Sequence, residues 1–169
     1  MVSLEDLASN EEIKAEYRRS LLLNILKKLV GRMKRDDNYR LHILNLYRQS
    51  TNKVITSKAI LNNDFKYDAS ESDAELFNIW IVAHLNKSDR RKGFSDSFKK
   101  ELFNKQHGLC AVCGERLGND FSKIHVDHII PWTLVGDELK DNYQYLCSTC
   151  NECKSCHTDY IFKSLINLV

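Results

Sequence analysis

Six cysteines, all between Cys110 and Cys156, constrain this chain more than any other feature; the 109 residues before them contain none. A secreted disulfide scaffold spreads its cysteines along the chain, whereas confinement to one stretch points to a metal site. Cys110-Ala-Val-Cys113 is followed, after 33 residues, by Cys147-Ser-Thr-Cys150. Each Cys-x-x-Cys knuckle sets two thiolates on one turn. Four close a tetrahedral Zn²⁺ shell with no open position, so the ion they imply is structural. Gly108 and Gly114 flank the first knuckle, where a tight turn and backbone N–H groups facing sulfur are required. On the second side Cys147, Cys150, Cys153 and Cys156 recur every third residue, and spacing alone allows several registers. The leftover pair reads as free thiols or as half of a second site with His107 and His157; free thiols are favoured. Cys153-Lys-Ser-Cys156-His157 also matches the c-type haem pattern, but that chemistry requires export. The opening residues, Met1-Val2-Ser3-Leu4-Glu5-Asp6, lack a basic then apolar leader, and the match reads as accidental.

The region before the cysteines reads as helical. Ser3 is expected to cap a segment reaching Leu7. From Glu11 to Met33 the residues Ile13, Tyr17, Leu21, Ile25, Leu29 and Met33 recur at helical spacing, and Gly31 is expected to weaken the end. Asp36 or Asp37 starts another helix, with Tyr39, Ile43, Leu46 and Tyr47 on one side. Val54 to Leu61 is ambiguous between helix and strand. Ser70 or Ser72 caps a helix to about Leu85, on which Phe77, Trp80, Ile81, His84 and Leu85 share a stripe. His84 is read as a hydrogen-bonded core histidine, and His42 likewise. Asn86 to Phe94 is a polar, basic joint and the best boundary. Beyond it Ser95 caps a short helix, Phe98 to Lys105. The longest apolar run, Leu21 to Val30, is broken by Asn24, Lys27 and Lys28, so no membrane span is expected and the location is expected to be cytoplasmic.

The net charge of +2 hides an asymmetry. Residues 27–58 hold nine Lys or Arg against two Asp, and 87–100 hold six against two. Residues 110–162 hold four against eight Asp or Glu. Basic stretches beside an acidic module offset its repulsion from a polyanion, which points to nucleic acid.

Between the knuckles lies His125-Val-Asp127-His128-Ile129-Ile130-Pro131-Trp, followed by Gly136, Asn142, Leu146-Cys147, Cys150-Asn151 and Lys154. In these residues the chain resembles the HNH endonuclease family, whose ββα-metal motif reads Asp-His-Ile-x-Pro, a glycine, an asparagine, then Leu-Cys-x-x-Cys-Asn-x-x-Lys. The intervals of fourteen from His128 to Asn142 and nine from Asn142 to Asn151 fit the family. The resemblance covers about residues 95–160. It implies that Cys147 and Cys150 complete the zinc set with Cys110 and Cys113, and that Asn142 positions the loop and His128.

The chemistry can also be argued from the residues. Phosphodiester hydrolysis needs a water deprotonated near neutral pH, charge stabilisation at phosphorus and help for the leaving 3′ oxygen. His128 is the base, since its ordinary pKa lies near working pH. Neighbouring strand residues face opposite ways, so Asp127 and His128 have different jobs, and His128 must act from a bent or terminal position. Mg²⁺ or Mn²⁺ suits Asp127 and the Asn151 amide oxygen. Lys154, one turn beyond Asn151, is expected to meet a phosphate. His125 shares a face with Asp127, but a stability or surface role is favoured. A zinc deaminase is rejected, because His-x-Glu and Pro-Cys-x-x-Cys are both missing.

The expected fold is α+β: a helical N-terminal region, residues 1–94, that contacts DNA or a partner, then a zinc-stabilised ββα-metal (HNH) nuclease module, 95–169. The expected activity is metal-dependent endonuclease cleavage of DNA, with double-stranded DNA the expected substrate, in a restriction, defence or phage setting. A homodimer or larger defence or phage complex is compatible with one active site per chain. The rivals are a non-catalytic zinc-stabilised nucleic-acid-binding protein and a nuclease subunit active only within a larger complex.

Overall fold

The computed structural model describes residues 10–118, 124–155, 157–160 and 163. The segment expected from Ser3 to Leu7, and Cys156, lie outside them. Among the described residues four helices come first: α1 (Glu11–Arg35), α2 (Asp37–Gln49), α3 (Lys53–Phe65) and α4 (Glu71–Asn86). Each is started by a side chain that accepts from its first free N–H groups: Asn10, Asp36, Asn52 and Ser70. At Ser70 the Asp73 carboxylate bonds back to the cap N–H, a reciprocal capping box. The ambiguous segment is therefore helical. Asn52 caps it, and it ends where Lys66 takes a left-handed conformation.

The stripe expected on α1 is displaced. Steps of four residues advance about 40° around a helix each time, so a run from Ile13 to Met33 winds off one face. Leu29 and Met33 are buried, but Tyr17 is 48% exposed, and the buried face runs through Leu22, Leu26, Leu29, Val30 and Met33. On α2 and α4 the expected stripes pack as read, through Tyr39, Ile43, Tyr47, Phe77, Trp80 and Ile81. His84 Nδ1 lies 2.6 Å from the Leu134 carbonyl. His42, by contrast, is exposed beside the Tyr39 ring rather than in the core.

After residues 87–95, Ser95 caps α5 (Asp96–Lys105). Strand β1 (His125–His128) pairs antiparallel with β2 (Tyr143–Leu146), with Asp127 opposite Gln144 and His128 opposite Tyr143. The short helix α6 (Trp132–Val135) sits between the strands, and α7 (Ser148–Lys154) follows β2. Two apolar cores result. One joins the four helices and also takes Ile130, Leu134 and Val135 from the strand connection. The other gathers Leu102, Leu117, Ile124, Tyr145 and Leu146 around two of the cysteines. The strand connection is thus a peg from the cysteine module seated in the helical core. Thr158 bonds Asn24 of α1, so the chain returns to the helices beyond α7.

Candidate active site and four-cysteine centre

The first knuckle is a turn closed by Gly114 N–H on the Cys110 carbonyl and by Cys110 N–H on Glu115. Its flanking glycines hold φ of 67° and 70°, as the tight turn requires. The second knuckle is the start of α7, where Cys147 sits at the N-cap and its sulfur accepts from Cys150 N–H. Gln106, which the sequence did not single out, ties the two together. Its amide donates to the Leu109 and Tyr145 carbonyls and accepts from Tyr145 N–H. Sulfurs on one Zn²⁺ at about 2.3 Å stand about 3.8 Å apart. Cys113 Sγ and Cys147 Sγ are 3.9 Å apart, and all four sulfurs lie within 4.8 Å of one another. The set fits a tetrahedral ion. Burial works against the Cys110 thiolate, but N–H groups of Cys113, Cys147 and Val112 outweigh it and bring the thiol down to about 7. At Cys150 burial and the neighbouring sulfurs push the thiol up instead. Among the described residues no second ligand group gathers, and Cys153 is exposed.

Beside this centre an open cleft of about 560 Å³ is lined by Asp127, His128 and Asn151, with His125, Arg91 and Lys92 at its edge. His128 ends β1, and its ring packs against Tyr143 and Phe94 at centroid separations of 5.0 and 6.4 Å. Its Nε2 lies 2.8 Å from Asp137 Oδ1. Asp137 also accepts from Lys92 N–H and Trp132 Nε1, each at 2.9 Å, and from the Tyr143 hydroxyl at 3.2 Å. Burial opposes its ionisation, but the donation from Lys92, His128 and Trp132 wins and holds the carboxyl at about 2. An ionised carboxylate only accepts, so Nε2 must carry the proton. In the neutral ring that leaves the lone pair on Nδ1. Asp137 was missed in the sequence because nothing in the spacing ties it to His128.

The turn before Asp137 depends on Gly136, whose φ of 63° and ψ of −145° suit no side chain. A Cβ there would stand 2.6 Å from Lys87 Cγ. Asn142 is buried and grips Ile130 twice: its Oδ1 accepts from Ile130 N–H at 2.7 Å and its Nδ2 donates to Ile130 O at 2.9 Å. It touches the loop after His128 and stands back from the cleft.

Lys154 does not occupy the phosphate-facing position expected of it. Its side chain is 2% exposed, and Nζ lies 2.8 Å from Asp127 Oδ2 and 2.7 Å from the His128 carbonyl. Three residues beyond Asn151 on a helix packed against β1, it is turned under the strand rather than out into the cleft. Gln144 also donates to Asp127 Oδ2, at 3.2 Å. His125 is exposed at the cleft edge.

Residues 110–160 match the family model described as HNH endonuclease. That stretch, which holds both knuckles and both strands, is similar to an HNH domain. No curated protein and no solved structure matches the chain. The HNH domain supports a nuclease-type function, and HNH nuclease domains act on DNA. Among the described residues no helix is long and apolar enough to cross a membrane.

Proposed function

We propose that the protein is a metal-dependent endonuclease that hydrolyses DNA phosphodiester bonds, with His128 as general base. The observation that carries this reading is the Asp137–His128 contact at the wall of the cleft shared with Asp127 and Asn151. Asp137 anchors Nε2–H, and Nδ1 is free to take a proton from water. The Tyr143 and Phe94 rings hold the imidazole edge in place. Asn142 fixes the loop that follows it. Asp127 and Asn151 are the residues to hold Mg²⁺ or Mn²⁺, which when bound supplies charge stabilisation to the phosphorus and the leaving oxygen. Lys154 neutralises and orients Asp127 from beneath. Attack by the activated water in line with the 3′ oxygen leaves a 5′ phosphate.

Plasmid nicking tests the reading. Wild type should nick supercoiled DNA with Mg²⁺ or Mn²⁺, and His128→Ala should lower the rate by about 10³-fold. Equal rates would remove His128 as the base. Salt-sensitive binding with no cleavage under any divalent ion would make the protein a zinc-stabilised DNA-binding module instead.

A further inference from the structure

On the far side of the Pro131–Leu134 segment from the cleft, a second groove of about 320 Å³ runs between that segment and α1. Val30, Pro131 and Leu134 line it, and Lys27 and Lys34 border it. Pro131 and Thr133 line both this groove and the cleft, so the two flank one loop. Lys27, Gly31 and Lys34 follow one another at i, i+4 and i+7, on one face of α1. Gly31, between the lysines, adds no side chain to the wall. Both lysines are exposed, and among the described residues neither has an ion-pair partner. They stand about 10 Å apart along the helix axis, too far to share one phosphate. At the loop itself Lys87 Nζ lies 4.2 Å and Arg91 Cζ 5.1 Å from the Trp132 ring centroid, continuing the positive charge toward the cleft.

We infer that this groove is the seat for the DNA backbone flanking the scissile bond, with Lys27 and Lys34 each neutralising a phosphate. The inference rests on the nuclease reading and specifies where its substrate lies. A nucleic-acid strand alternates anionic phosphate with largely apolar sugar. A groove with an aliphatic floor and cationic borders complements that alternation. Asp127 and Glu152 line the cleft and repel a phosphate, so the strand is drawn along the cationic borders of α1 and delivered to His128 from the helical side.

The test is binding of a fluorescent DNA duplex of about three helical turns, read by anisotropy across a salt series without Mg²⁺, in the His128→Ala background. Each lost phosphate contact lowers the slope of log affinity against log salt by about 0.9. Lys27→Ala/Lys34→Ala should weaken binding and reduce the slope by about 1.8. Lys53→Ala/Lys58→Ala, on α3, should leave the slope unchanged. All four lysines are exposed, and far-UV circular dichroism confirms folding of each variant. An unchanged slope in the α1 variant, or an equal fall in the α3 variant, overturns the inference and leaves the nuclease reading standing. No duplex binding by the parent overturns both.

Discussion

The helical region and the cysteine module solve the problem of holding together in opposite ways. The helices bury aliphatic and aromatic side chains: Leu22, Leu26, Ile43, Phe77 and Ile81 are all at 0% exposure. Buried groups of the module include His128, Asn142, Gln144 and Lys154, each bonded to a named partner. Burial of apolar area is strong but without direction. Hydrogen bonds are worth little net, yet they fix angles. The module therefore adds directed contacts around His128 and Asp127 to a small apolar core, four gathered sulfurs and a peg in its neighbour's core.

That contrast can be broken most forcefully at the four cysteines, whose sulfurs fit one zinc ion. Structural zinc contributes on the order of 10 kcal/mol to small domains. Cys110→Ser, or strong chelation, should abolish nicking and expose residues 110–155 to protease while most helical ellipticity survives. Joint collapse of both signals would show that the peg couples the regions into one cooperative unit. The converse strike is Phe77→Ala, a cavity in the helical core costing about 3–5 kcal/mol. Thermal denaturation should shift down by many degrees while the protein still titrates with one zinc per chain. Loss of zinc in that variant would erase the distinction from the other side.

The smallest effect concerns the directed contacts alone. Asp137 has its folded pKa depressed from 3.8 to about 2. A depressed carboxyl stabilises the fold above its unfolded pKa and loses that contribution as pH falls toward the folded value. Its side chain is 3% exposed, and the shift corresponds to about 2 kcal/mol. Denaturant unfolding of wild type should therefore weaken between about pH 4 and pH 2 by more than it does in Asp137→Asn. Equal slopes would show that the carboxylate is not an anchor.

Most helix starts were legible in the sequence because a cap is a local event. Ser70, Ser95 and Asp36 bond to N–H groups three residues away. The zinc knuckles and the Asp127-His128 pair were legible for the same reason, since ligand spacing is short and chemically demanding. Lys154 was misplaced and Asp137 overlooked because their partners are 27 and nine residues away, the first across the strand pairing and the second across the turn between the strands, neither of which a local pattern specifies. The α1 stripe slipped because an i+4 repeat only approximates 3.6 residues per turn. The 54–61 segment was ambiguous because its decisive residue, Asn52, lies outside it.

Asn86 to Phe94 read in the sequence as a polar, basic joint, and the turn at Gly136 changes what the 87–92 part of it is. The stem of Lys87 lies against the bare Cα of that glycine, and Lys92 N–H is held by the next residue, Asp137. The stretch is fastened at both ends like a hasp. Its length is thereby a gauge: one residue added between Lys87 and Lys92 has nowhere to go but outward, carrying Arg91 off Trp132 and pulling on the carboxylate that aims His128. Whatever variation this chain can absorb elsewhere, the spacing of this joint is tied to the contact between Asp137 and His128.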